Sequence, residues 1–87
     1  MTAKSEIELF ILNDLLSGSR ATIDPEEPLI SSSILDSLGL LRVITFIEEQ
    51  FGIKVGDGEV GDQNFGTLSR ILSFVERKQS ENAPPSA

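Results

Sequence analysis

The sequence predicts a small all-α bundle of three long helices plus one short helical turn, with a long loop between the first and second long helices. Three stretches repeat apolar residues with the period of a helix, and each apolar stripe can be buried only against the other two. Each stretch is flanked by residues that typically start or stop a helix. The 87 residues suffice for one small domain with a modest core.

The first long helix is predicted from Lys4 to Leu16, with Ser5 as its N-cap and Gly18 as its stop. Its apolar stripe has the i, i+3, i+4, i+8 spacing of one helix face. The stripe consists of Ile7, Phe10, Ile11 and Leu15. Residues 17–35 follow as a long loop, because two prolines and three consecutive serines forbid a continuous helix. We expect four apolar side chains to pin this loop to the core: Ile23, Leu29, Ile30 and Ile34.

The second long helix, residues 37–50, has the strongest helical pattern in the chain, and Gly52 supplies its stop. Its core stripe is Leu40, Val43, Ile44, Ile47 and Phe51. A second stripe on the same helix consists of Leu38, Leu41, Arg42, Thr45, Glu48 and Glu49. An apolar start followed by acidic residues suits a partner-docking face, and a solvated helix face with two exposed leucines is the alternative.

Five glycines within residues 52–66 predict a loop, with at most one short helical turn near Asp62 to Phe65. Thr67 is the predicted N-cap of the last helix. The apolar stripe of that helix is Leu68, Ile71, Leu72 and Val75. We therefore expect the folded domain to span residues 1–79. Residues 80–87 have too little apolar content to fold and are expected to form a disordered C-terminal tail.

The composition argues against most enzymes and metal sites. The chain contains neither cysteine nor histidine, which removes thiolate nucleophiles, zinc sites and Ser–His pairs. Seven basic against fourteen acidic residues give a net charge of -7, which disfavours nucleic acid and anionic membranes and favours basic protein surfaces. With no membrane-span-like apolar run and no signal-peptide pattern, we expect a cytoplasmic protein that does not insert into a membrane.

The stretch Ile34-Leu35-Asp36-Ser37-Leu38-Gly39 marks the boundary between the long loop and the second helix. Either Asp36 or Ser37 could cap the helix, because both side chains carry an oxygen that accepts from free N–H groups of the first turn. Ser37 has no histidine to activate it as a nucleophile. An exposed hydroxyl at a helix start could still be modified by another enzyme. The local residues alone leave the cap and the modification site both open.

The pattern Leu35-Asp36-Ser37-Leu38, opening a helix after a long loop in a small acidic chain, resembles the Asp-Ser-Leu attachment motif of the acyl carrier and peptidyl carrier protein superfamily. The similarity extends from Ile7 through Val75 and is closest to stand-alone carriers of the D-alanyl carrier type. The residues that carry it are the run from Ile34 to Gly39, then Glu48, Phe51, Ile53, Val55, Glu59, and the run from Asn64 to Thr67.

This resemblance implies a carrier protein and not an enzyme. Ser37 would receive 4'-phosphopantetheine covalently from coenzyme A, and the thiol of that arm would hold an acyl or aminoacyl group as a thioester. Asp36 and Leu38 would help a phosphopantetheinyl transferase recognise the site. The implied partner surface consists of Leu41, Arg42, Glu48 and Glu49.

The implied partners are the phosphopantetheinyl transferase, an acyl- or aminoacyl-loading ligase and downstream transferases with basic docking surfaces. A carrier that visits several enzymes is expected to be a monomer. The competing hypothesis is an unmodified acidic helical adaptor that docks into a partner through Leu38 and Leu41.

Four positions depart from the superfamily pattern. Ser33 stands where such carriers often have glycine, Gly56 where proline is frequent, and Phe65 where the D-alanyl type has tryptophan. Arg42 replaces an acid that is common in fatty-acid carriers, which argues against service to the ordinary fatty-acid synthase enzymes. An alkyl cargo would need an internal cleft, expected at Leu40, Val43, Phe46, Ile47 and Leu72. The bulk of Phe46 and Phe65 favours a small or polar cargo instead.

Overall fold

The computed structural model describes residues 2–18 and 21–82 and shows four helices around one core. These helices are α1 (Ala3–Phe10), α2 (Ser37–Phe51), α3 (Asp62–Phe65) and α4 (Leu68–Asn82). The all-α prediction of three long helices and one short helical turn is confirmed, and the described ranges contain no strand. No helix within them combines the length and apolar character that a bilayer crossing requires.

The core is formed by the apolar stripes of α1, α2 and α4, together with Phe65 of α3. Of the predicted α2 stripe, Val43 and Ile47 are fully buried. Its other members, Leu40, Ile44 and Phe51, are partly buried and pack against the core. Phe74 of α4 is also fully buried, although the predicted stripe omitted it. Burying one such side chain stabilises the fold by about 1.5–3 kcal/mol relative to leaving it exposed.

The first helix begins and ends differently from the prediction. Thr2 is the N-cap: it has extended backbone angles, and its hydroxyl accepts from the Ser5 N–H at 3.1 Å. The prediction of Ser5 as cap is therefore wrong, because Ser5 lies inside the first turn of α1. α1 continues into a π-helical turn, Ile11–Leu15, in which the Leu16 N–H donates to the Ile11 carbonyl at 3.1 Å. The predicted stop is confirmed, since Gly18 adopts a left-handed φ of 74°.

The long loop is pinned to the core by side chains and by the backbone. Ile23 and Leu29 are buried as predicted, Ile30 and Ile34 are partly buried, and Leu35 is buried as well. The Leu29 N–H donates to the Gly66 carbonyl at 2.7 Å, and the Ser69 N–H donates to the Pro25 carbonyl at 3.0 Å. These bonds tie the loop to the start of α4. The direction in which the chain enters α2 is therefore fixed.

After α2 the chain forms a 3₁₀ turn (Asp57–Glu59) that the sequence did not predict, and then the short helix α3 where a helical turn was expected. Thr67 caps α4 as predicted, because its hydroxyl accepts from the Arg70 N–H at 3.1 Å. α4 continues to Asn82, so residues 80–82 are helical where the sequence predicts a tail. Residues 83–87 of the predicted tail lie outside the described residues, and the domain boundary at residue 79 stays a prediction.

Candidate functional site around Ser37

The cap of α2 is Asp36 and not Ser37. Asp36 has extended backbone angles, and its carboxylate oxygen Oδ1 accepts from the Gly39 N–H at 2.7 Å. The absence of a side chain at Gly39 helps, because a Cβ there would lie only 3.1 Å from that same carboxylate oxygen. The Asp36 carbonyl also accepts the first helical hydrogen bond, from the Leu40 N–H at 2.8 Å. One residue therefore performs both tasks of an N-cap.

Ser37 is the first residue of α2, and its side chain is exposed. Its hydroxyl makes no hydrogen bond to any residue in the described part of the chain. The two interpretations that the sequence left open for Asp36 and Ser37 thus separate in the structure. Asp36 holds the helix end, and Ser37 presents a free hydroxyl to solvent.

A shallow groove of about 360 Å³ lies beside the Ser37 hydroxyl. Here it is called the Ser37 groove, and it is lined by Ser37, Leu40, Leu41, Ile44, Asp57 and Val60. Only Leu40 is shared with the internal cleft expected from the sequence. Val43 and Ile47 are instead fully buried within the core, and Phe46 stacks on Phe10 of α1 with ring centroids 4.4 Å apart. The apolar space near Ser37 is therefore an open surface feature.

One wall of the Ser37 groove is held by Glu59, which lies between Asp57 and Val60. Its carboxylate accepts from the Gly56 N–H at 2.9 Å and from the Lys78 ammonium of α4 at 3.1 Å. These hydrogen bonds, from Gly56 first and Lys78 second, hold the pKa of the Glu59 carboxyl below its ordinary value. Glu59 thus fastens the 3₁₀ turn to α4. Sequence reasoning assigned it no role, although Glu59 is among the residues that carry the family resemblance.

The predicted partner surface divides into two parts. Leu38, Leu41, Arg42 and Glu49 are exposed, and Leu38 and Leu41 retain 61% and 60% of their accessible surface. Glu48 is half-buried, and its carboxylate accepts from the Val55 N–H at 2.9 Å. That bond ties the segment after α2 back to the helix. The described structure therefore leaves Leu41, Arg42 and Glu49 of the four predicted partner residues exposed beside Leu38, and gives Glu48 a contact inside the fold.

Comparisons with known proteins identify carrier proteins that are similar to this chain in sequence. The chain is 37% identical over 78 residues to the D-alanyl carrier protein of Streptococcus equi subsp. zooepidemicus (strain MGCS10565), which covers 90% of this chain and 95% of the relative. It is 30% identical over 71 residues to the acyl carrier protein of Solidesulfovibrio magneticus, covering 82% and 88% of the two chains. No family model matches the chain.

Among solved structures, the fold is similar to the solution NMR structure of a holo acyl carrier protein from Nitrosomonas europaea. The TM-score is 0.72 with 34% sequence identity, and the match covers 92% of this chain and 99% of the other. Sequence and fold thus lead to the same group of proteins over nearly their whole length.

The expectations of a carrier role and of a non-catalytic protein are confirmed by these relatives. Acyl carrier proteins hold a covalently attached phosphopantetheine, and carrier proteins interact with ligases and transferases. The exposed, unbonded serine at the start of α2 is compatible with such an attachment, since nothing in the described residues blocks access to its hydroxyl. The identity to carriers over most of both chains, together with the shared helical fold, establishes that this chain belongs to the acyl carrier protein family.

Proposed function

We propose that this protein carries an acyl or aminoacyl group as a thioester on a 4'-phosphopantetheine arm attached to Ser37, and that it delivers this group to partner enzymes. The observation that supports the proposal is that, at the start of α2, one residue makes the cap and the next keeps its hydroxyl free. Asp36 makes the capping hydrogen bond at 2.7 Å, and the Ser37 hydroxyl is exposed and unbonded within the described residues. Modification of Ser37 therefore breaks no contact of the described fold.

Attachment to Ser37 is a transfer from coenzyme A. The Ser37 Oγ forms a bond to the β-phosphorus, the pyrophosphate P–O bond breaks, and adenosine 3',5'-bisphosphate leaves. The hydroxyl proton passes to a base supplied by the transferase, since this chain has no histidine to receive it. The resulting phosphodiester carries a negative charge beside the positive end of the α2 dipole, which favours it.

The residues around Ser37 have distinct proposed roles. Asp36 and Leu38 help the phosphopantetheinyl transferase recognise the site. The proposed surface for the loading ligase and downstream transferases, which would present basic residues, consists of Leu41, Arg42, Glu48 and Glu49. Coenzyme A as donor makes the cytoplasm the proposed location, and visits to several enzymes favour a monomer.

A small or polar cargo suits this carrier better than a long alkyl chain. The helical interior is filled, with Val43, Ile47, Phe65 and Phe74 all fully buried. The Ser37 groove is open and includes the charged Asp57. The relative with 37% identity is named a D-alanyl carrier protein. These observations support an amino acid as the carried group.

Intact-mass spectrometry tests the attachment. The purified protein is incubated with coenzyme A and a broad-specificity phosphopantetheinyl transferase, alongside Ser37→Ala and the control Ser31→Ala, which alters an exposed serine of the long loop. We expect the parent and Ser31→Ala to gain one phosphopantetheine and Ser37→Ala to gain none. A parent shown to be folded that gains no mass, or a Ser37→Ala variant that gains as much as the parent, contradicts the proposal and favours an unmodified adaptor.

A further inference from the structure

The Ser37 groove contains a single charged side chain, that of Asp57. Besides Ser37 itself, its other lining residues are all apolar: Leu40, Leu41, Ile44 and Val60. Asp57 is exposed, and sequence analysis assigned it no role. A few polar groups placed on an apolar surface are what give a small-ligand site its specificity. The groove is therefore suited to a small group that is partly apolar and carries a positive charge.

Asp57 differs from the next two carboxylates in the chain because it has no partner. Glu59 is paired with the Lys78 ammonium at 3.1 Å. Asp62 is paired with the Arg70 guanidinium at 2.9 Å. The Asp57 carboxylate makes no hydrogen bond or ion pair with any residue in the ranges 2–18 and 21–82. It is therefore free to accept hydrogen bonds from a ligand.

The backbone on both sides of Asp57 is held in place. The Glu59 N–H donates to the Gly56 carbonyl at 2.9 Å, and the Glu59 carboxylate accepts from the Gly56 N–H in return. The Asn64 side-chain amide donates to the Glu59 carbonyl at 2.9 Å and joins the turn to α3. The wall that carries Asp57 is thus formed before any ligand arrives, and a ligand need not order it on binding.

The charge of Asp57 discriminates among the groups that Ser37 could carry. A plain acyl chain that filled the groove would remove water from the carboxylate and offer it no hydrogen-bond donor, which is unfavourable for a charged group. An aminoacyl group has an α-amino group, whose ordinary pKa of about 7.7–8.0 leaves it mainly charged at neutral pH. That ammonium brings both N–H donors and the opposite charge.

We infer that Asp57 is the specificity-determining residue for the carried group, and that its carboxylate accepts hydrogen bonds from the ammonium of an aminoacyl group tethered at Ser37. The apolar lining residues contact the short side chain of that amino acid. Because the tether keeps the ammonium at a high local concentration, a weak contact is sufficient. The inference rests on the proposed attachment at Ser37. An alkyl chain in the groove and a basic side chain of a partner enzyme on Asp57 are the competing occupants.

The test uses two coenzyme A analogues in which a stable amide replaces the thioester, one carrying an alanyl and the other a propionyl group. The two groups differ only in the amino group. A broad-specificity phosphopantetheinyl transferase attaches each to the ¹⁵N-labelled full chain. The alanyl arm is expected to shift the amide signals of Asp57, Gly58 and Val60 more than the propionyl arm does.

A titration of the alanyl arm, labelled with ¹³C in its alanine, measures the ammonium directly. Its pKa should be about 0.5 higher on the parent than on Asp57→Asn, because an opposite charge stabilises the protonated form. The matched control, Asp14→Asn, makes the same change at an exposed carboxylate outside the groove and should keep the parent value. The phosphodiester at Ser37 is present on all three proteins, so its own effect cancels.

Equal pKa values on the parent and Asp57→Asn would overturn the inference and leave Asp57 to a basic side chain of a partner enzyme. Equal shifts from the two arms would also overturn it, and so would shifts centred on the buried Val43 and Ile47, which place the cargo inside the bundle. Intact mass judges the attachment separately. A parent that gains no mass rejects the attachment and this inference together, whereas a loaded parent with an unchanged ammonium pKa rejects the role of Asp57 alone.

Discussion

Helices α2 and α4 begin with similar residues and use their hydroxyl groups in opposite ways. Ser37 and Thr67 each precede a leucine at a helix start. The Thr67 hydroxyl accepts from the Arg70 N–H at 3.1 Å, and the residue is only 8% exposed. The Ser37 hydroxyl is exposed and has no partner among the described residues, because Asp36 accepts from the first turn instead. A hydroxyl at a helix start is free for chemistry only where its neighbour makes the cap.

The segments before the two helices explain the difference in burial. α4 follows directly after the short helix α3, and at the junction a Cβ on Gly66 would collide with the Asp62 carbonyl oxygen. The Gly66 carbonyl also accepts from Leu29 of the long loop. The start of α4 is thereby enclosed. At α2 the loop is anchored through the buried Leu35, and the next two residues, Asp36 and Ser37, face solvent.

The largest expected effect on stability is the difference between removing the Thr67 hydroxyl and removing the Ser37 hydroxyl. Thr67→Ala should lower the free energy of unfolding by about 1–2 kcal/mol, because the Arg70 N–H loses its acceptor in a partly buried position. Ser37→Ala should change it by less than about 0.5 kcal/mol, since no described contact is lost. Urea denaturation followed by circular dichroism measures both. Equal destabilisation by the two substitutions would remove the distinction between the helix starts.

A smaller effect separates the capping role of Asp36 from its proposed recognition by the transferase. Asp36→Ala should cost about 1 kcal/mol of stability, because the Gly39 N–H loses its acceptor, whereas Asp36→Asn keeps a capping oxygen and should cost little. Both variants lack the carboxylate charge. If the transferase recognises that charge, both should gain phosphopantetheine more slowly than the parent. Slow modification of Asp36→Ala alone would assign the effect to the loosened helix end.

The sequence predicted features that depend on neighbouring residues. Helical periodicity located all three long helices, and local start and stop residues identified Thr67 as a cap and Gly52 as a stop, the latter in a left-handed conformation with φ of 67°. The same rules could not choose between Asp36 and Ser37, and they selected Ser5 where Thr2 makes the cap. Each pair consists of two good capping residues, and only the backbone angles decide which of them accepts.

Sequence patterns could not predict contacts between residues that are far apart in the chain. Glu59 and Lys78 are nineteen positions apart and meet only because the 3₁₀ turn packs on α4. Phe10 and Phe46 stack across two helices, whereas the sequence placed Phe10 in the core stripe of the first helix and Phe46 in an internal cleft. The extent of the Ser37 groove and the stacking of the two rings therefore depended on the packing of the helices.

The smallest expected effect concerns Ser33, at the end of the loop that leads to α2. Ser33 has a left-handed φ of 66°, which is strained for a residue with a side chain and which glycine adopts readily. Ser33→Gly should therefore raise the free energy of unfolding by about 0.5–1 kcal/mol, after allowing for the greater flexibility of glycine in the unfolded chain. The backbone hydrogen bond from the Ser33 N–H to the Ile30 carbonyl, at 3.0 Å, can form with serine or with glycine at position 33.

The matched control for this substitution is Ser31→Gly, two residues earlier in the same loop. Ser31 is equally exposed and is absent from the residues with positive φ, so glycine there relieves no strain and should lower stability by up to about 1 kcal/mol. Opposite signs for the two variants in urea denaturation would show that the loop holds the start of α2 in place at the expense of local strain. If both variants destabilise the protein, the left-handed conformation of Ser33 does not limit its stability.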